Sequence, residues 1–344
     1  MGKRTEIVKL LGELKNDPMN VELMNSIAIG YFENYDQKTD KEDYDFFELA
    51  YKTKKTVKTA HNFAWFLYFE WSEIEWRRNE DSAINRAIRI QEECINLKPN
   101  SFYPYYQYGF MLLEQKQYES AIGFLIIANY KQKRSDILQN LGYCYFLLKD
   151  FENARHYFNE ATKEYDLENK YLFSLAITEY ALNNLDRTKE IADELYNSIE
   201  PNQSKAIDGH EIGFLYFLIS DFEKSAICAI KQGLEIIDLV EWPELSFSVN
   251  QQNNKLWTKQ VKKGIKKRTI WLDEILNGHD DWKGLTPERI YEETEKLNAE
   301  IEFRQNLLKY GIDKPNPKLE KQIPMEHCGC LLFGCKTHKN SEND

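Results

Sequence analysis

Glycine and proline are scarce in this chain, at 15 and 9 of 344 residues. That argues against compact β-architectures, whose many tight turns consume both. Cysteine is scarcer still, at six, too few for a disulfide framework in a chain of this length. No apolar run approaches the roughly 20 residues of a membrane span. The opening "MGKRTEIVKLLGELKNDP" has neither the apolar segment nor the small-residue cleavage site of a secretory signal. Glu6 stands where a myristoylation signal at Gly2 needs Ser or Thr, and the final "SEND" is no prenylation box. A cytoplasmic location away from membranes is therefore the expectation. Also missing are a Gly-rich phosphate loop, a nucleophile elbow and a His-Glu pair set along one helix. A non-enzymatic role follows, with His156 and His279 read as surface residues.

What the chain does have is 42% apolar and 29% charged residues, with 21 Tyr and 19 Phe. This composition makes a large core packed through aromatic side chains and favours long helices. Cys94, Cys144 and Cys228 each sit singly inside apolar helical patterns and read as small core residues.

A repeat runs through the middle. In "LQNLGYCYFLLKDFENARHYFNEA", Leu138, Leu141, Gly142 and Tyr145 are followed by Ala154, Phe158 and Ala161. The preceding segment places Tyr105, Tyr108, Gly109, Leu112, Ala121, Leu125 and Ala128 at the same intervals, with the two glycines 33 residues apart (142 − 109). Ala176 with Thr188 and Ala192, then Gly213 with Ser225 and Ala229, continue the frame. Backwards, Ala64 fits with Ala87 and Cys94 behind an insertion near residues 72–82, and a weaker copy centres on Ala28. Such spacing describes two antiparallel helices per unit, crossing so closely that only a small residue fits where the backbones meet. The links "EQKQYES", "LKDFENA", "NNLDRTK" and "SDFEKSA" are short polar turns with one apolar anchor. One unit cannot bury its own face, so stacking supplies the core.

These units resemble tetratricopeptide repeats in Leu138, Leu141-Gly142, Tyr145, Ala154 and Phe158, over roughly residues 21–240. The resemblance implies an all-α fold: a right-handed superhelix of antiparallel helix pairs, here followed by a C-terminal helical hairpin and a short Cys/His-rich tail. The division expected is an N-terminal helix over 1–20, repeats over 21–240, capping helices over 241–311, and linker and tail over 312–344. The resemblance also implies a concave groove for a protein or peptide, lined by the first helix of each unit. In that frame the lining stripe is His61, Trp65 and Tyr68, then Tyr106, Phe110 and Leu113. It continues through Gln139, Tyr143 and Phe146, then Phe173, Ile177 and Tyr180, and ends on His210, Phe214 and Phe217. The stripe is aromatic with almost no positive charge, which disfavours a clamp for a terminal carboxylate. It suits an apolar or amphipathic peptide, or the chain's own C-terminal segment. Rings packed as plain core between tightly wound units are the alternative.

After residue 240 the frame is lost. Lys255, Lys259, Lys262, Lys263, Lys266, Lys267 and Arg268 cluster on one helix, with Trp257, Val261, Ile265, Leu272 and Ile275 able to face inwards. Thr286 as N-cap, Pro287 behind it and Gly311 as the stop delimit a following acidic helix, so an antiparallel hairpin with complementary faces is expected. Nucleic-acid association through the basic helix is the weaker reading, since a net charge of −11 repels phosphate elsewhere.

Last comes "HCGCLLFGCKTH". His327, Cys328, Cys330, Cys335 and His338 offer enough donors for a tetrahedral zinc, and Gly329 and Gly334 allow tight turns. However, one residue between Cys328 and Cys330 matches no familiar zinc module. Redox pairing of close thiols is a second reading, and docking of "LLF" onto the body or a partner is a third. A metal-binding enzyme or sensor based on this tail is thus the alternative to a plain interaction protein.

Overall fold

The computed structural model describes residues 3–33, 42–70, 82–164, 169–198, 207–231, 241–279, 282–327 and 329–335. Among them are sixteen α-helices, one short 3-10 turn and no strand. The expected insertion near 72–82 lies almost wholly outside the described residues. The chain divides into two compact units. The first comprises residues 1–164 with 325–344, and the second comprises 165–324.

The first unit begins with α1 (Lys3–Asn16) and continues in four hairpins. These are α2 (Val21–Phe32) with α3 (Glu42–Thr53), α4 (Val57–Phe69) with α5 (Ala83–Asn96), α6 (Tyr103–Glu114) with α7 (Tyr118–Lys131), and α8 (Ser135–Leu147) with α9 (Phe151–Glu164). The second unit has α10 (Asn169–Ala181) with α11 (Leu185–Ser198) and α12 (Gly209–Leu218) with α13 (Phe222–Lys231). It closes with α14 (Pro243–Gln252), α15 (Asn254–Leu276) and α16 (Pro287–Tyr310).

The small residues sit where the crossing needs them. A Cβ on Gly109 would lie 2.8 Å from Leu125, and one on Gly142 would lie 2.6 Å from the Phe158 ring. On Gly213 it would meet Leu245 at 2.6 Å. Ala28, Ala64 and Ala176 are fully buried at the matching places.

Four of the turns between paired helices share one geometry. Lys116, Lys149, Asn183 and Ser220 adopt the left-handed conformation, with φ of 61°, 61°, 63° and 63°. In every case that residue's N–H donates three residues back, and the next N–H donates five back, as in Lys149 to Phe146 and Asp150 to Tyr145 at 2.9 Å each. This is the Schellman ending, built here without glycine. Asp150 and Asp221 then accept from the backbone of Asn153 (3.2 Å) and Lys224 (3.1 Å), starting the second helix.

In the second unit α15 and α16 form the expected hairpin. Thr286 caps α16 by accepting from the Arg289 N–H at 3.3 Å, and Gly311 ends it at φ 85°. Arg268 is buried on the hairpin seam, paired with Glu300 of α16 and 3.7 Å from Glu241. Trp257 is buried and donates to Ser246 at 2.9 Å.

Candidate functional site

The core of the first unit contains a segment from the far end of the chain. Leu331, Leu332, Phe333 and Cys335 join the same cluster as the α2 to α8 core residues, and Leu332 and Phe333 have no exposed surface.

Helix by helix, this tail crosses the first members of all four hairpins in reverse order. On α8, Asn140 donates from Nδ2 to the Glu326 carbonyl and accepts from the Glu326 N–H, both at 2.9 Å. On α6, the Phe110 ring lies 5.6 Å from that of His327. On α4, Trp65 Nε1 donates to the Gly329 carbonyl at 3.3 Å and His61 Nε2 donates to the Leu331 carbonyl at 3.0 Å. Asn62 donates to the Phe333 carbonyl at 3.0 Å and accepts from the Phe333 N–H at 2.8 Å. On α2, Ile29 lies 3.7 Å from where a Gly334 Cβ would stand, and the Cys335 thiol donates to Glu33 just past the helix end at 3.0 Å.

Two asparagines therefore treat the tail as a neighbouring strand would, each exchanging a donor and an acceptor with the backbone of one residue. Gly329, Leu331 and Phe333 are read at alternate positions, the period of an extended chain. Phe333 fills a slot between His61 (4.8 Å) and Tyr103 (5.6 Å, edge-on). A tight turn, Cys335 N–H to Leu332 carbonyl at 3.2 Å, ends the segment, and Gly334 at φ 87° supplies the conformation other residues resist.

The protonation state of His61 follows from its partners. Nε2 faces a carbonyl and so carries the proton, while Nδ1 accepts from Gln91 at 3.4 Å, a side chain itself anchored on the Pro104 carbonyl at 2.8 Å. Burial pushes its pKa down to about 4. The thiols of Cys94 and Cys144 are pushed up to about 12, and that of Cys228 to about 11, also by burial. These three remain protonated, unreactive packing groups near neutral pH.

Of the stripe named from sequence, His61, Trp65, Tyr106, Phe110 and Phe146 are buried in the first unit, while Tyr68 and Tyr143 are half-buried. His61, Trp65 and Phe110 touch the tail. In the second unit Phe173, Phe214 and Phe217 are buried, and Tyr180 and His210 are half-buried. There Phe217 packs on Phe222 and Phe247 beneath Lys314, and His210 stacks on Trp242 at 5.2 Å. Lys259, Lys262, Lys263, Lys266 and Lys267 are exposed along α15, whereas Arg268 turns inward to its ion pair.

Of the tail donors, Cys328 and His338 lie outside the described residues. His327 turns to Phe110, Cys335 to Glu33, and the Cys330 thiol hydrogen-bonds to Cys335. Among the described residues, the one trio of metal-ligand type is Asp208, His210 and Glu211. That trio is the capping box of α12, in which Asp208 accepts from the His210 backbone and ring while Glu211 accepts from the Asp208 N–H.

Asn62 and Asn140 were absent from the sequence-derived stripe. They share one place in the frame, two residues before the small residue, and each interrupts an apolar helical run with a poor helix former. That was the signal that marked them.

The paired helices define a helical-hairpin repeat protein. The hairpin is of tetratricopeptide type: residues 135–166, which hold α8 and α9, match the family described as Tetratricopeptide repeat. No curated protein sequence matches the chain. Among solved structures it is similar to PilW, a type IV pilus biogenesis factor, at 17% identity and TM-score 0.46, covering 57% of this chain and 86% of that one. It is similar to yeast Tom70 at 14% identity and TM-score 0.48, over 90% of this chain and 60% of that one. A tetratricopeptide repeat protein from Parabacteroides merdae aligns at 12% identity and TM-score 0.49, over 80% and 99% respectively.

Proposed function

We propose that this protein is a non-enzymatic interaction module whose first unit binds an extended protein segment along the first helices of its hairpins. The observation that carries this reading is the tail on Asn62 and Asn140. A groove that pairs with the backbone N–H and C=O groups of two separate residues accepts extended chain as a class. Side-chain selection then falls to the Phe333 slot. Repeats of this type are typical of protein-binding modules. Among the described residues no helix is long and apolar enough to cross a membrane.

The test uses the full chain with its tail ejected by L332D/F333A, titrated with a labelled peptide of residues 324–335 carrying serine for cysteine. Saturable binding is expected, with at least a tenfold loss when Asn62→Leu or Asn140→Leu is added. Absence of binding by a chain of unchanged helicity refutes the groove.

A further inference from the structure

One polar side chain in the groove is left unused. Gln107 on α6 stands two residues before Gly109, the place that Asn62 holds on α4 and Asn140 on α8. It is 2% exposed, and neither its Nε2 nor its Oε1 has a hydrogen-bond partner. A buried primary amide with no partner is costly, and its presence at this place is not explained by packing, which an apolar side chain of equal size would serve better. The two flanking amides each hold the backbone N–H and C=O of one tail residue in a two-bond pair. The row is thus a ladder of three amide rungs, of which the tail engages the outer two.

We propose that the groove is built for a segment of another protein that engages all three rungs, and that residues 326–335 are a displaceable stand-in. This rests on the reading of the first unit as a site for extended chain. The partner's chemistry can be read from the stand-in. Its core is uncharged and runs aliphatic, aliphatic, aromatic, glycine, as Leu331-Leu332-Phe333-Gly334 do. Ahead of that core its backbone follows a path over α6 that brings one peptide unit onto Gln107. The tail follows another path there, with His327 set against Phe110. A ligand that satisfies the third rung removes a desolvated, unpaired amide and so displaces a tail that leaves it unpaired. The tail keeps the groove dry and closed to weaker apolar chains until such a segment arrives.

Gln107→Met separates the two occupants, because it removes the orphan amide while keeping the volume. In the full-length chain it is expected to hold the tail more firmly, slowing exchange of the Phe333 amide hydrogen at least fivefold. Displayed 12-residue peptides, fixed as Leu-Leu-Phe-Gly and randomised over the five preceding positions, are then selected on the tail-ejected L332D/F333A chain. Selected peptides are expected to bind at least tenfold more weakly once Gln107→Met is added, while the peptide of residues 324–335 binds as well or better. Unchanged or faster exchange of Phe333 in Gln107→Met overturns the proposal, as do selected peptides indifferent to that substitution. Neither result depends on whether the tail peptide itself binds, which tests the groove.

Discussion

His61 is neutral in the fold because its two nitrogens have opposite duties, one donating to the Leu331 carbonyl and one accepting from Gln91. A second proton would set Nδ1–H against the Gln91 amide in a dry site. With the folded pKa near 4 and the unfolded value at 6.5, the unfolded chain takes up a proton over that window and the fold does not. Stability is therefore full above pH 6.5, falls by about 1.4 kcal/mol per pH unit below it, and levels off near pH 4 as far as His61 is concerned. Denaturant midpoints at pH 7 and pH 5 check this: the wild type should lose about 2 kcal/mol more than His61→Gln between them. Equal losses would exclude a buried neutral His61.

Glycines differ by what surrounds them. Gly142→Ala drives a Cβ into the fully buried Phe158 ring and should destabilise by about 1–3 kcal/mol. Gly123→Ala on α7, with nothing within 4 Å, should stabilise by about 0.5–1 kcal/mol through helix propensity alone. Thermal melts of both decide the matter, and a matched response would mean that the crossing tolerates a side chain.

At the scale of elements, the repeat is carried as much by its turns as by its helices. Four Schellman endings place Lys, Lys, Asn and Ser in the left-handed conformation that glycine adopts without cost. Lys149→Gly is expected to raise stability by about 0.5–1 kcal/mol, measured by urea unfolding. A loss would show that the lysine stem contributes more by packing than its backbone loses by strain. The α15 and α16 pair follows another rule. Its seam is set by Arg268 and Glu300, while Lys259, Lys262, Lys266 and Lys267 are exposed alongside. A run of like charges in sequence thus divides into one structural arginine and a solvated face.

For the molecule as a whole, the question is what covers the first unit's inner surface. Its answer lies some 270 residues from His61 and Asn62 along the chain, as the separations of 270 and 271 in these bonds record. A contact of such range leaves no periodic trace. Much of the rest was legible. The 33-residue spacing of Gly109 and Gly142, the caps of α16 and the hairpin after residue 240 are local patterns, and the helices follow them. The stripe containing His61, Trp65 and Phe110 was legible for the same reason, since helical period puts those residues on one face. Asn62 and Asn140 escaped a search for aromatic character because they act by pairing with backbone.

The sequence alone determined the repeating hairpins, since a small residue every thirty-odd positions and a polar turn between apolar helices admit few other arrangements. Tertiary structure decided where the described part of "HCGCLLFGCKTH" lies. As a string it displays thiols and imidazoles, the chemistry of a metal or redox site. In the fold its apolar Leu-Leu-Phe is buried and the Phe333 backbone is paired with Asn62, while Glu326 just ahead of it is paired with Asn140. Burial and hydrogen bonding are properties of what a segment meets, and what this one meets is specified elsewhere in the chain.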